Sequence, residues 1–81
     1  MEREIAYWQS RGGKYAVTLY YNPEFKLADG RTVIDAHYRG TECGGVLVAT
    51  SVEDAVCQLQ AKIDRGHFQP DAAKTPMRRI R

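Results

Sequence analysis

Apolar and polar positions alternate most cleanly from Lys14 to Asn22. Tyr15, Val17, Leu19 and Tyr21 interleave there with Ala16, Thr18 and Tyr20. A period of two is the mark of a strand with one buried face, so the Tyr15 to Tyr21 row is predicted to face a core. Asn22-Pro23 ends the run, since proline gives no N–H to a ladder and restricts the residue before it. Upstream, Ile5 to Gln9 is rich in β-formers and is followed by Ser10-Arg11-Gly12-Gly13, which suits a hairpin. A strand is preferred there over a helix running from Glu2 to Arg11. Downstream, Phe25 to Ala28 and Arg31 to Arg39 flank Asp29-Gly30, whose glycine and aspartate tolerate the positive φ of a tight hairpin turn. In the later run Thr32, Ile34, Ala36 and Tyr38 are predicted inward, with Val33, Asp35 and His37 outward. Gly40 to Gly45 reads as a loop. Val46 to Ala49 is apolar at every position, which predicts a central strand or one covered on both faces.

The period then changes. Val52, Ala55, Val56, Leu59 and Ile63 form one stripe at helical spacing, and Cys57 falls outside it. Thr50 or Ser51 is the expected N-cap, and Thr50 with Glu53 has the form of a capping box. Glu53 and Asp54 in the first turn suit the positive end of the helix dipole. Gly66 after Arg65 is the expected stop. Beyond it, residues 67–81 show no period and carry Pro70 and Pro76. Phe68, Met77 and Ile80 are candidates for pinning this extended segment to the body or to a neighbour. The predicted fold is therefore α+β: an antiparallel sheet of about four strands packed against one C-terminal amphipathic helix, with an extended basic tail. The expected division is a single small domain over residues 1–66 and a tail over residues 67–81.

Composition bounds the function. At 81 residues, 43% apolar and 27% charged, the chain is an ordinary small folded unit with a modest core. Its net charge of +2 is unevenly spread. The tail holds Lys74, Arg78, Arg79 and Arg81 against Asp71 alone, whereas the first 66 residues are close to neutral. That argues against a large basic face on the body. Val46 to Ala49 is the longest apolar run, far short of a membrane span. No apolar segment follows Met1-Glu2-Arg3-Glu4, so no secretory signal is expected. Two cysteines without such a signal predict free thiols and a cytoplasmic location.

Candidate chemistry is sparse. His37, Cys43, Cys57 and His67 are of the right types for zinc but lack the paired spacing of structural sites, so no metal or other cofactor is expected. Cys43, in a glycine-rich loop, is the better of two candidate nucleophiles; Cys57 lies mid-helix, where the dipole does little for a thiolate. Gly44-Gly45 leads into a strand and not a helix, unlike phosphate-binding loops. The tyrosines and the tail are more suggestive. Exposed aromatics serve protein recognition or base stacking, and Trp8 and Tyr20 are expected on the face opposite the Tyr15 row. The expected partner-binding residues are Trp8, Tyr20, Arg31, Lys74, Arg78, Arg79 and Arg81.

Over Lys14 to Arg65 the element order resembles that of double-stranded-RNA-binding-like domains and of small antitoxin-like domains of the β-β-β-α kind. Glu53 and Asp54 stand where the RNA-binding domains place a basic cluster, so no function is carried across. The leading expectation is a non-enzymatic protein–protein interaction module. It would be a small regulator or inhibitor of the kind that phages and mobile elements encode, for example against a bacterial defence complex. A homodimer is a corollary, because a small sheet leaves an edge or a face to be covered. The alternative is a nucleic-acid-binding protein using the tail with Arg11, Lys14, Arg31 and Arg39. An enzyme with a cysteine nucleophile is the third.

Overall fold

A computed structural model of the chain describes residues 3–22, 34–41, 43–69 and 77–81. Among these residues four strands precede the helix: β1 (Arg3–Ser10), β2 (Ala16–Asn22), β3 (Ile34–Gly40) and β4 (Gly44–Ala49). The helix α1 (Val52–Asp64) follows, and a short strand β5 (Met77–Arg79) closes the sheet. All neighbours pair antiparallel, in the order β4-β3-β2-β1-β5. The α+β class and the single packed helix are as expected. The fifth strand comes from the segment read as tail. The hairpin expected around Asp29-Gly30 lies outside the described residues, apart from the later strand's end in β3.

The strand preferred over Ile5 to Gln9 is β1. Ser10 N–H donates to the Tyr15 carbonyl at 2.8 Å, across a 3₁₀ turn at Arg11–Gly13 in which Gly12 and Gly13 both take positive φ. The predicted core rows hold. Tyr15, Val17 and Leu19 are buried with Ala36 and Tyr38, and Tyr21 and Ile34 pack at the margin. The helix presents Ala55, Leu59 and Ile63 to them.

Trp8 corrects the expectation of an outward aromatic. It is fully buried and is the largest buried side chain. The cause is a β-bulge. Glu4 pairs with Tyr20, but Ala6 pairs with Leu19, so one extra residue at Ile5 reverses the alternation, and Ala6 and Trp8 turn inward. An uninterrupted strand would have kept Glu4, Ala6 and Trp8 on one outer face.

The β4 strand corrects a second expectation. Among the described strands it lies at the edge, not the centre, with Val46 at 75% and Val48 at 67% exposure. Leu47 and Ala49 face the helix and are buried, while the opposite face has no helix over it among the described residues. A tight turn joins β3 to β4, with Gly40 N–H donating to the Cys43 carbonyl at 2.7 Å. The glycine-rich loop is therefore shorter than expected. Beyond Ala49 the chain leaves the sheet for α1, and among the described residues β3 is the one strand beside β4.

The helix ends are built as the caps predicted, with one shift of register. Ser51 is the N-cap, and its hydroxyl accepts from Asp54 N–H at 3.0 Å. The Asp54 carboxylate reaches back to Thr50 N–H at 3.0 Å. The reciprocal pairing thus joins Ser51 and Thr50 to Asp54, rather than Thr50 to Glu53. At the other end Gly66 takes φ 75°, with Gly66 N–H donating to Ile63 and His67 N–H to Lys62. Those two bonds make a Schellman cap, which needs a left-handed residue and so a glycine. The cap turns the chain so that Phe68 enters the core, where its ring meets Tyr38 edge-on at 5.3 Å. Phe68 and Met77 are buried against the body, whereas Ile80 remains half exposed.

Candidate interaction surface

The sheet has two unlike faces. One is filled by α1, Phe68 and Met77. The other is read directly from the ladder register. Glu4, Tyr20, His37 and Val46 form one cross-strand row; Tyr7, Thr18, Arg39 and Gly44 form the next; Asn22, Asp35 and Val48 form a third. Ile80 lies outside Tyr7, held by its N–H donating to the Tyr7 carbonyl at 2.7 Å.

Tyr20 is on this face as expected, half-buried. Its ring stacks on His37 at 5.4 Å with an interplanar angle of 20°, and the Arg39 guanidinium sits 5.3 Å from its centroid. Stacking fixes the ring orientation, and an arginine over the face adds an electrostatic attraction of about 0.5–1 kcal/mol at exposed sites. A pre-oriented aromatic of this kind loses little rotamer freedom when a partner lands on it. Beside it Val46 and Val48 offer apolar surface on the edge strand.

Two of the tail arginines make contacts within the fold. Arg81 makes a two-pronged pair with Glu4, Nε to Oε2 at 3.0 Å and Nη2 to Oε1 at 3.1 Å, over the Tyr7 ring. Arg79 places its guanidinium 5.9 Å from the Trp8 ring, and its Nε donates to the Arg81 carbonyl. Both are exposed, but both are engaged by their own fold. Arg78 pairs with Gln9 in the ladder and, with Arg11, Gly12 and Ile80, lines an open cleft of about 600 Å³. Arg31 and Lys74 lie outside the described residues. Trp8 is withdrawn from the surface by its burial.

Val46 and Val48 are the surface residues that the sequence did not mark. Their signal was present but ambiguous, since an all-apolar strand is equally consistent with two covered faces and with one bare face. Other candidate chemistry stays apart. Cys57 is exposed on the helix, and Cys43 is half-buried at the core margin. Among the described residues no three His, Cys, Asp or Glu side chains converge as a metal site would require. The Asp54 carboxyl is held below its ordinary value of 3.8, chiefly by the Thr50 N–H, with the Gln58 amide and Thr50 hydroxyl helping and some loss of hydration opposing. That group belongs to the helix cap. No described helix is long and apolar enough to cross a membrane. No protein family, curated protein or solved structure matches the chain.

Proposed function

We propose that the chain is a protein–protein interaction module, a small regulator or inhibitor that meets its partner through the face of the sheet opposite α1. The observation that supports this is the pairing of exposed apolar surface at Val46 and Val48 with the stacked Tyr20–His37 row beside it. Protein interfaces favour tyrosine and arginine around an apolar centre over the lysine- and glutamate-rich composition of ordinary surface. The test is affinity purification of the full chain from extracts of its source organism, before and after nuclease treatment, with Tyr20→Ala as control. A protein retained after nuclease and lost in Tyr20→Ala supports the reading. Retention that Tyr20→Ala leaves unchanged, or that nuclease abolishes, sinks it.

A second reading, single-stranded nucleic acid, has one observation in its favour. Arg11 and Arg78 flank a cleft on the same side of the sheet as Tyr7 and Tyr20, and cations beside stacking rings suit a backbone with splayed bases. It requires binding of a labelled oligonucleotide that weakens steeply with salt, and the nuclease arm of the purification separates it from the first.

A further inference from the structure

The two edges of the sheet are not alike. The outer edge of β5 is three residues long and carries Arg78 and Arg79. Short length and charge are the usual devices that keep an edge from pairing with another chain. The outer edge of β4 has neither. Gly44 to Ala49 contains no charge and no proline, and no described strand pairs with its outer side. Its backbone polarity follows from the turn. The bond from Gly40 N–H to the Cys43 carbonyl makes that pair hydrogen-bonded, and the ladder alternates from there. Gly45, Leu47 and Ala49 thus bond inward to β3, while Gly44, Val46 and Val48 direct N–H and C=O outward. The Val48 carbonyl accepts from the Gln58 side chain at 3.1 Å and keeps a second lone pair.

We infer that this edge pairs with the same edge of a second copy, β4 against β4 antiparallel, about a two-fold axis through Val46. The inference goes beyond the reading of the uncovered face as a protein-binding surface, since it concerns the edge beside that face and a second copy of the chain. Self-complementarity is the reason for choosing a second copy. With Val46 opposite Val46, Gly44 falls opposite Val48 in both directions, so all the outward-facing residues meet as hydrogen-bonded pairs. The flanking charges agree. Arg39 is the ladder partner of Gly44, and Asp35 is the ladder partner of Val48. Across the axis each Arg39 therefore shares a row with the other copy's Asp35, about three strand spacings away with Gly44 and the other copy's Val48 between them, a long-range complementarity and not a contact. Shifting the axis to Gly45 would instead align His37 with the other copy's Arg39. The pairing is isologous, so it closes as a dimer. The β5 edges, guarded by arginine, do not extend it. The product is one ten-stranded sheet with both helices on one face and both Tyr20–His37 rows on the other.

Strand pairing alone buries less than a standard interface, so the affinity belongs at the weak end, on the order of 10–100 µM. Sedimentation velocity on the full chain should show 9.2 kDa at low concentration, rising toward twice that across this range. Val46→Lys puts a charge at the centre of an exposed position, and it should weaken association at least tenfold with an unchanged circular dichroism spectrum. The register is tested separately by oxidation in a Cys43→Ser, Cys57→Ser background. Val46→Cys should form a covalent dimer. Val48→Cys should not, although it should cross-link when mixed with Gly44→Cys. A chain that stays at 9.2 kDa to several hundred µM overturns the inference. So does association that Val46→Lys leaves intact, oligomers larger than two, or Val48→Cys cross-linking as readily as Val46→Cys. A monomer that still retains a protein partner through Tyr20 overturns the self-pairing and leaves the broader reading standing. A dimer with no such partner does the reverse.

Discussion

Trp8 donates its indole Nε1–H to the Gln60 Oε1 at 2.8 Å, joining β1 to α1 across 52 positions of sequence. The ring is fully buried and the amide only partly so. The bond lets a bulky aromatic sit at the helix–sheet interface without leaving its one polar atom unpaired. Removing the acceptor strands that N–H, at about 1–2 kcal/mol. Gln60→Leu should therefore destabilise the chain by that much. Trp8→Phe should cost a comparable amount through lost area. The double variant should fall short of the sum by about 1 kcal/mol. Gln60 also donates to Asp64, but that bond is lost in both the single and the double variant and cancels in the cycle. Strict additivity in urea denaturation would mean that the Trp8–Gln60 bond contributes nothing.

The helix cap gives stability a pH dependence of known sign. Asp54 is depressed below 3.8 in the folded chain, first by the Thr50 N–H. A carboxyl that loses its proton more readily when folded adds stability that is complete well above the unfolded value. That stability is lost as pH falls through 3.8 toward the folded value, and is absent below both. The gap in urea midpoint between the wild-type chain and Asp54→Asn should be open at pH 7 and should narrow by pH 3. Other carboxylates titrate in both proteins and drop out of the difference. A gap equal at the two pH values would assign the effect to something other than ionisation. Ser51→Ala, which removes the hydroxyl acceptor of Asp54 N–H, should cost about 1 kcal/mol at any pH.

Gly45 owes its identity to a neighbour, not to its own backbone angles. A Cβ there would lie 2.6 Å from the Tyr38 hydroxyl and 2.8 Å from its Cζ, because the Tyr38 ring lies across its ladder partner. Gly45→Ala must push that ring away and so disturb its packing in the core. The expected loss is about 1–3 kcal/mol, as for overpacking generally, and the midpoint of thermal unfolding should drop accordingly. Combined with Tyr38→Leu, the alanine should cost less than it does alone. Full additivity would place the strain elsewhere.

Met77 ties the last strand to the core. It is buried opposite Ser10 in the ladder, next to the Arg79 that lies over Trp8. Met77→Ala should destabilise by about 2 kcal/mol, the lower end for a buried methionine, since the site is at the sheet margin and can relax. If β5 loosens, the Trp8 emission maximum should shift to longer wavelength and acrylamide quenching should rise. Arg79→Ala should leave the emission nearly unchanged, because the indole is covered by packing and the guanidinium contact is exposed.

The elements legible in the sequence were those in which independent signals agreed. For α1 the stripe, the acidic first turn and Gly66 all pointed to one span, and the cap moved by a single residue. For β2 strict alternation settled both the strand and its buried face. Trp8 was misplaced because alternation carries phase only as far as the strand is regular. A bulge at Ile5 leaves no mark in composition, being a matter of register against Tyr20 and Leu19. Val46 to Ala49 was misplaced for a different reason. Apolarity reports how well a residue fits a buried site, not whether one exists, and edge or centre is decided by which strand lies beside it. That depends on β5 pairing with β1 rather than β4, a choice made between segments far apart in sequence.

The same long-range pairing orders the events of folding. β1 to β4 meet in sequence neighbours, two of the joins being tight turns, whereas Trp8 and Arg79 are partners separated by about seventy residues of chain. Loop closure over that distance is entropically later than the local hairpins, so the sheet should assemble from its middle and acquire β5 last. Trp8 is then an internal clock. In stopped-flow refolding, far-ultraviolet dichroism should recover first and the indole signal should lag. The interval between them is the time during which β1, as well as β4, offers an unguarded edge to any other chain within reach.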